Sequence, residues 1–193
     1  MKLKKCIKDA FVVIGKEGST LEGQGFIQRL WADANAHFAQ VQPLAKKDKD
    51  GNLVGIWGAM SDFSRSYQPW KENFSKGLYL AGVECLDEAQ PPEGWTKWNI
   101  PGYEYLCAKV ETENTFSEVL DYMQKNQIPL VGAIQDFSCP KSGKDYIRYP
   151  DRLTINADRC KTSVGVLFFY SARVGWLLMV TATRLGIQTA LCG

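Results

Sequence analysis

The chain carries one motif twice. Leu53-Val54-Gly55-Ile56-Trp57-Gly58-Ala59-Met60-Ser61-Asp62-Phe63-Ser64 returns, three residues shorter, as Leu130-Val131-Gly132-Ala133-Ile134-Gln135-Asp136-Phe137-Ser138. An amphipathic helical pattern precedes each copy. A tyrosine-led strand pattern follows each: Tyr79 to Glu84 in one, Tyr146 to Tyr149 in the other. Two copies of one supersecondary unit in a short chain predict a pseudo-twofold domain, with the seam between the halves as the natural place for a ligand.

The 193 residues suffice for one domain, or one domain and a tail. A net charge of +2 points to no nucleic acid partner, and the basic Met1-Lys2-Leu3-Lys4-Lys5 reads as a solvated terminus. There is neither a basic stripe nor a helix-turn-helix pattern. Six cysteines form no C-x-x-C pair, and His37 is the one histidine, so no metal site and no cofactor is expected. No signal segment opens the chain. A reducing cytoplasm with free thiols is therefore the expectation, with Cys85 and Cys107 as small core residues.

The first half reads strand, helix, strand, strand. Ala10 to Lys16 is a β-branched, apolar strand. Gly25 to Ala45 is a helix with Ile27, Leu30, Trp31, Ala34, Phe38 and Val41 on one face. Leu53 to Met60 and Leu78 to Leu86 are strands. The connection from Ser61 to Gly77 holds Phe63, Tyr67, Trp70 and Phe74, and so must fold over something apolar. After the Pro91-Pro92 linker, Trp95 to Ile100 and Tyr103 to Glu111 are strands. Thr115 and Glu118 make a capping box for a helix with Phe116, Val119, Leu120 and Met123 on its face. Leu130 to Phe137 and Asp145 to Tyr149 close the second unit. Two βαββ units give an α+β domain: a largely antiparallel, pseudo-twofold sheet, both helices on one face, a ligand cleft between the halves. That domain is expected over 1–152.

Residues 153–193 form an apolar tail outside the repeat. Arg173 interrupts its apolar run, where a charge at the bilayer centre costs about 3 kcal/mol. A packed helix or hairpin is expected there, not a membrane span.

Glu84 stands out chemically. It lies in an apolar strand, so it must be paired, hydrogen-bonded, protonated or facing a cavity. Gly82 shares its face and leaves room for a ligand. Aromatic residues cluster on the segments flanking the seam: Tyr67, Trp70 and Tyr149, together with Trp57, Tyr79, Trp95, Trp98, Tyr103, Tyr105 and Tyr146, the seven taken with Glu84 as ligand-binding. Such walls stack on flat ligands and attract cations by about 0.5 to 2 kcal/mol per contact. Phosphate-binding glycine loops and a nucleophile elbow are absent.

Gly55 to Phe63, Gly77 to Glu84, the Pro92-Glu93-Gly94-Trp95 turn, Ile100 to Tyr105 and Tyr146 to Pro150 together resemble the GyrI-like small-molecule-binding domain, over roughly residues 3–152. That family includes the effector-binding domains of bacterial multidrug-responsive regulators. The resemblance implies a duplicated βαββ fold whose cleft glutamate and aromatic wall bind cationic, lipophilic drugs. Glu84 and Tyr79 match its strand motif; Trp57, Trp95, Tyr103 and Tyr146 match by segment. One branch implies a hydrolase opening cyclopropane-bearing DNA alkylators in an aromatic cage, with Glu84 and Tyr79 as catalytic residues. Another implies topoisomerase inhibition. The leading expectation is a stand-alone cytoplasmic member that sequesters an aromatic or cationic small molecule, with no direct nucleic acid contact, no membrane and an undetermined oligomeric state.

Overall fold

The computed structural model describes residues 2–154. Expectations for the apolar tail lie almost wholly outside the described residues.

Eight strands and two principal helices follow in the order β1 (Leu3–Lys8), β2 (Phe11–Ser19), α1 (Phe26–Ala36), β3 (Ile56–Ser61), a single turn α2 (Lys71–Phe74), β4 (Leu78–Cys85), β5 (Thr96–Ile100), β6 (Tyr103–Lys109), α3 (Thr115–Lys125), β7 (Gln135–Cys139) and β8 (Lys144–Leu153). They form one antiparallel sheet in the order β1-β6-β8-β7-β3-β4-β2-β5. The units β2-α1-β3-β4 and β6-α3-β7-β8 are the two halves. They meet at β3 and β7, through Ile56↔Ser138, Trp57↔Phe137 and Gly58↔Asp136.

The leading strand of each half pairs with the other half: β1 with β6, and β5 with β2. This exchange bends the sheet. β1 and β2 stand six places apart, roughly 29 Å in a flat sheet. Only Asp9 and Ala10 join them, a reach of about 11 Å. Pro101 and Gly102 join β5 to β6 under the same constraint. The sheet must therefore curl until the two links touch, and a Cβ on Gly102 would sit 2.9 Å from the Ala10 nitrogen. The solvated N-terminus expected from sequence is instead an edge strand, and Cys6 on it is disulfide-bonded to Cys107 of β6, where free thiols were expected.

Curling gives the sheet an inner face and a helix face, and explains why its central strands read as continuous apolar runs. In β2, Val12 and Ile14 pack under α1, while Phe11 and Val13 point inward. In β4, Tyr79, Ala81, Val83 and Cys85 take the helix face; Leu80 points inward. The apolar stripes predicted for both helices do pack on the sheet: Ile27, Leu30, Trp31 and Ala34 in one half, Phe116, Val119, Leu120 and Met123 in the other.

Local details differ from expectation. α1 ends at Ala36, not Ala45. Pro43 lacks an N–H and disfavours helix at its predecessor, so the chain continues as two 3₁₀ turns, which still carry Phe38 and Val41 into the core. The capping box at α3 does not form: Asn114 is the N-cap, and the Thr115 hydroxyl accepts from the backbone N–H groups of Glu111 and Thr112. Leu130 to Ile134 precede β7 instead of belonging to it, because their N–H groups serve other partners: Val131 donates to Pro150 O and Ala133 to Tyr67 O. No helix among the described residues is long and apolar enough to cross a membrane.

Candidate functional site

The β3–β4 ladder puts Trp57 opposite Gly82, and the β7–β8 ladder puts Gln135 opposite Arg148. With the halves overlaid on these ladders, Gly58 and Asp136 occupy corresponding positions, and they also pair with each other across the seam. The pseudo-twofold axis passes between them. On the helix face, Gly58 has no side chain. The Tyr79 hydroxyl fills the space a Cβ there would take, with the Asp136 Cβ 3.0 Å from it.

The Tyr79 hydroxyl donates to Asp136 Oδ2 at 3.0 Å and accepts from Trp31 Nε1 at 3.3 Å. Burial pushes the Asp136 carboxyl up to about 6, against the lowering effect of the Tyr79 hydrogen bond and with the help of nearby Asp145. Burial and the adjacent Asp136 push the Tyr79 phenol well above its usual range, so it remains a donor. Asp136 has no ion-pair partner among the described residues.

Beside this pair, on the same face, lies a cavity of about 260 Å³ lined by Met60, Trp70, Phe74, Phe116 and Ile134. Met60 lies opposite Tyr79 in the β3–β4 ladder, and Ile134 is two residues before Asp136. The cavity therefore lies beside the acid on the axis, one residue away along each strand face, although Asp136 is not itself among its lining residues. Three of its five lining residues are aromatic, and each belongs to a further group of rings. Trp70 contacts Phe26, which meets Tyr79 edge-on; Phe74 meets Phe116 edge-on, and Phe116 contacts Tyr149.

Trp70 and Phe74 come from the long connection after β3, which does fold over the seam as its aromatics required. Asp62 organises it. Burial opposes the Asp62 charge, but the hydroxyls of Ser64 and Ser66 and the N–H of Gln68 outweigh burial and hold its carboxyl far below the usual range. The connection is strained: Arg65, Tyr67, Glu72, Asn73 and Phe74 all have φ between 48° and 60°. Each such residue costs on the order of 1–3 kcal/mol and persists only where its surroundings fix it, often at functional sites.

The eight residues singled out from sequence divide between the two faces. Tyr79 alone sits at the helix-face seam. Trp95 is on the helix face too, lining a second, smaller cavity with Trp31 and with Ile56 of β3, and donates to Gln40 Oε1 at 2.7 Å beneath Lys16. Trp57, Glu84, Trp98, Tyr103, Tyr105 and Tyr146 belong to the inner face. There Trp57 packs between Phe11 and Phe137, with ring centroids at 4.4 and 4.7 Å. Glu84, 1% exposed, accepts from Lys8 Nζ at 2.8 Å and from Trp57 Nε1 at 3.3 Å. Trp98 donates to Glu17 and meets Tyr67 edge-on; Tyr103 stacks edge-on with Tyr105; Tyr146 contacts Phe137. Gly82 does not open space beside Glu84. A Cβ there would meet the Ile14 carbonyl oxygen and, at 2.8 Å, the Gly15 Cα, so it serves the close approach of β2 and β4.

Sequence reasoning passed over Asp136. The available signal was an acid inside the repeated motif, but its alignment set Asp136-Phe137-Ser138 against Asp62-Phe63-Ser64 and hid its equivalence to Gly58.

The chain matches no family model and no curated protein sequence. Among solved structures it is similar to SAV2435 bound to tetraphenylphosphonium, with TM-score 0.53 and 16% identity over 80% of this chain and 94% of that one. It is also similar to a candidate bacterial transcription regulation protein from Staphylococcus aureus MU50, with TM-score 0.51 and 14% identity over 79% of this chain and 99% of that one. Both are likenesses of fold, and the fold is the α+β, pseudo-twofold architecture implied by the resemblance to GyrI-like small-molecule-binding domains.

Proposed function

We propose that the protein binds aromatic, cationic small molecules in the helix-face seam and acts by sequestering them. One observation carries this reading: a cavity of about 260 Å³, lined by three aromatic rings with Met60 and Ile134, lies beside a carboxyl, on the pseudo-twofold axis, that lacks a cationic partner among the described residues. Ligand pockets begin at roughly 300 Å³, so a bulky guest must displace the strained Trp70–Phe74 segment. The fold's likeness to a protein holding tetraphenylphosphonium supports the ligand class. Glu84 is the less suitable acid, because Lys8 already neutralises it.

Titration with tetraphenylphosphonium and with tetraphenylborate, its anionic counterpart in shape, tests the proposal. The cation should quench tryptophan fluorescence saturably with an affinity near micromolar, about −8 kcal/mol, and Trp70→Ala should weaken it. Absence of saturable binding across a panel of aromatic cations overturns the reading. A hydrolytic reading draws on Asp136, whose carboxyl at about 6 is suited to general-base work near neutral pH. Mass analysis of recovered ligand for added water separates hydrolysis from sequestration.

A further inference from the structure

The connection between β3 and β4 grips both faces of the sheet at once. Tyr67 packs against the inner-face cluster, edge-on to Trp98 with ring centroids 6.0 Å apart. Three residues later, Trp70 packs on the helix face and lines the seam cavity with Phe74. Arg65 secures the inner end: its Nε and Nη2 donate to the two carboxylate oxygens of Glu17 at 3.1 and 2.6 Å. Trp98 Nε1 donates to the same carboxylate at 2.6 Å, so the Arg65 clamp and the Tyr67 ring share one support.

The two ends are rigidly joined. The Asp62 carboxylate accepts from the N–H groups of Ser64, Ser66 and Gln68, and the Asp62 N–H donates to Gln68 O at 3.1 Å. Residues 62–68 therefore form one closed turn. Only Pro69, whose ring fixes φ, separates it from Trp70. Tyr67 O also accepts from the Ala133 N–H at 2.7 Å, next to Ile134 of the cavity wall. Arg65 and Tyr67 hold φ of 55° and 58°, a strain that lasts only while both ends stay docked.

We propose that this connection is a rocker, and that Arg65, Glu17 and Tyr67 on the inner face set the affinity of the seam on the other. The inference rests on the seam being the cation site. A guest larger than the cavity raises the Trp70–Phe74 segment while its rings stay against the guest. The closed turn then carries Tyr67 off Trp98 and draws Arg65 from Glu17, and the backbone strain is released. Cation binding and inner-face docking oppose each other, and by linkage each weakens the other by the same factor. The device needs no ligand on the inner face.

Tetraphenylphosphonium is the probe, with tryptophan quenching as the readout of binding and the ¹⁹F resonance of a 3-fluorotyrosine placed at position 67 alone as the readout of the inner face. Saturating cation should move that resonance towards its solvent-exposed value. Arg65→Met, which keeps the apolar stem and removes the clamp, should tighten cation binding about two- to fivefold, the worth of an exposed ion pair. Tyr67→Ala, distant from the cavity, should tighten it about tenfold, the worth of a half-buried ring. Saturable quenching with an unmoved position-67 resonance, or with both variants no tighter than wild type, overturns the rocker and leaves the seam reading standing. Absence of quenching overturns both. The resonance measurement decides the matter should either variant not fold.

Discussion

Replacing Asp136 with asparagine should stabilise the protein at neutral pH. Folding takes most of the carboxyl out of water, though the residue keeps some exposure, and lifts its pKa from 3.8 to about 6. A group raised on folding contributes its full stability only below the unfolded value; that contribution is lost as pH climbs through the folded one. The shift of roughly two units amounts to about 3 kcal/mol at 1.36 kcal/mol per unit, an upper figure because the variant must re-form the Tyr79 hydrogen bond with an amide. Asparagine carries no charge to bury. The variant and the wild type should therefore nearly coincide at pH 3.5, diverge between about pH 4 and 6, and keep a constant gap above about pH 7. At the high-pH plateau the variant should melt up to roughly 6–12 °C higher. Urea unfolding of both proteins from pH 3.5 to 8 reads the difference directly, and other titrating groups such as Asp62 cancel in the comparison. A gap that does not change with pH, or a variant less stable at pH 7.5, would refute the reasoning. The same variant should lose affinity for tetraphenylphosphonium, which would make Asp136 a site where stability is given up for binding.

Three other outcomes are expected. Gly58→Ala should destabilise by about 1–3 kcal/mol in chemical unfolding, because its Cβ would drive into the Tyr79 hydroxyl and the Asp136 Cβ. Glu84→Gln should lower stability by about 1–3 kcal/mol by leaving Lys8 uncompensated, yet leave aromatic cation affinity unchanged in fluorescence titration. Cys6→Ser, or reduction, should cost up to about 4.7 kcal/mol, since the bridge closes a loop with a sequence separation of 101; thermal melts with and without reductant read it.

Much of the architecture was legible because local pattern dictates it. The duplication, the apolar stripes of α1 and α3 and the obligation of Phe63 to Phe74 to cover something all follow from residue spacing. What escaped was non-local. Leu3 to Lys8 has too few apolar residues to announce a strand, and only its distant partner β6 makes it one. Cys6 and Cys107 gave no spacing that could pair them. The aromatics alternate along strands, which assigns each to one of two faces but does not say which face holds the cavity. Most of those chosen belong to the packed inner face. Of the ten aromatics weighed as a ligand wall, Trp70 alone lines the cavity, with Phe116, read as helix packing, and Phe74 of the connection. Register at the seam is set by tertiary pairing, so no alignment of the copies could show that Asp136 stands where Gly58 does.

The exchanged leading strands bear on how such a fold can arise and assemble. A half expressed alone would carry β1 with no β6 to receive it, leaving an open edge of unpaired peptide groups. Its simplest remedy is reciprocal donation to a second identical half, which rebuilds eight strands around a true axis in place of the approximate one. The molecule is in this sense a covalently fused homodimer. Fusion released the two copies from identity, so that a glycine on one side of the axis could face an aspartate on the other. A symmetric ancestor would have placed two carboxyls, or none, at that point. The asymmetry that gives the seam its single acid is thus available only to the joined chain.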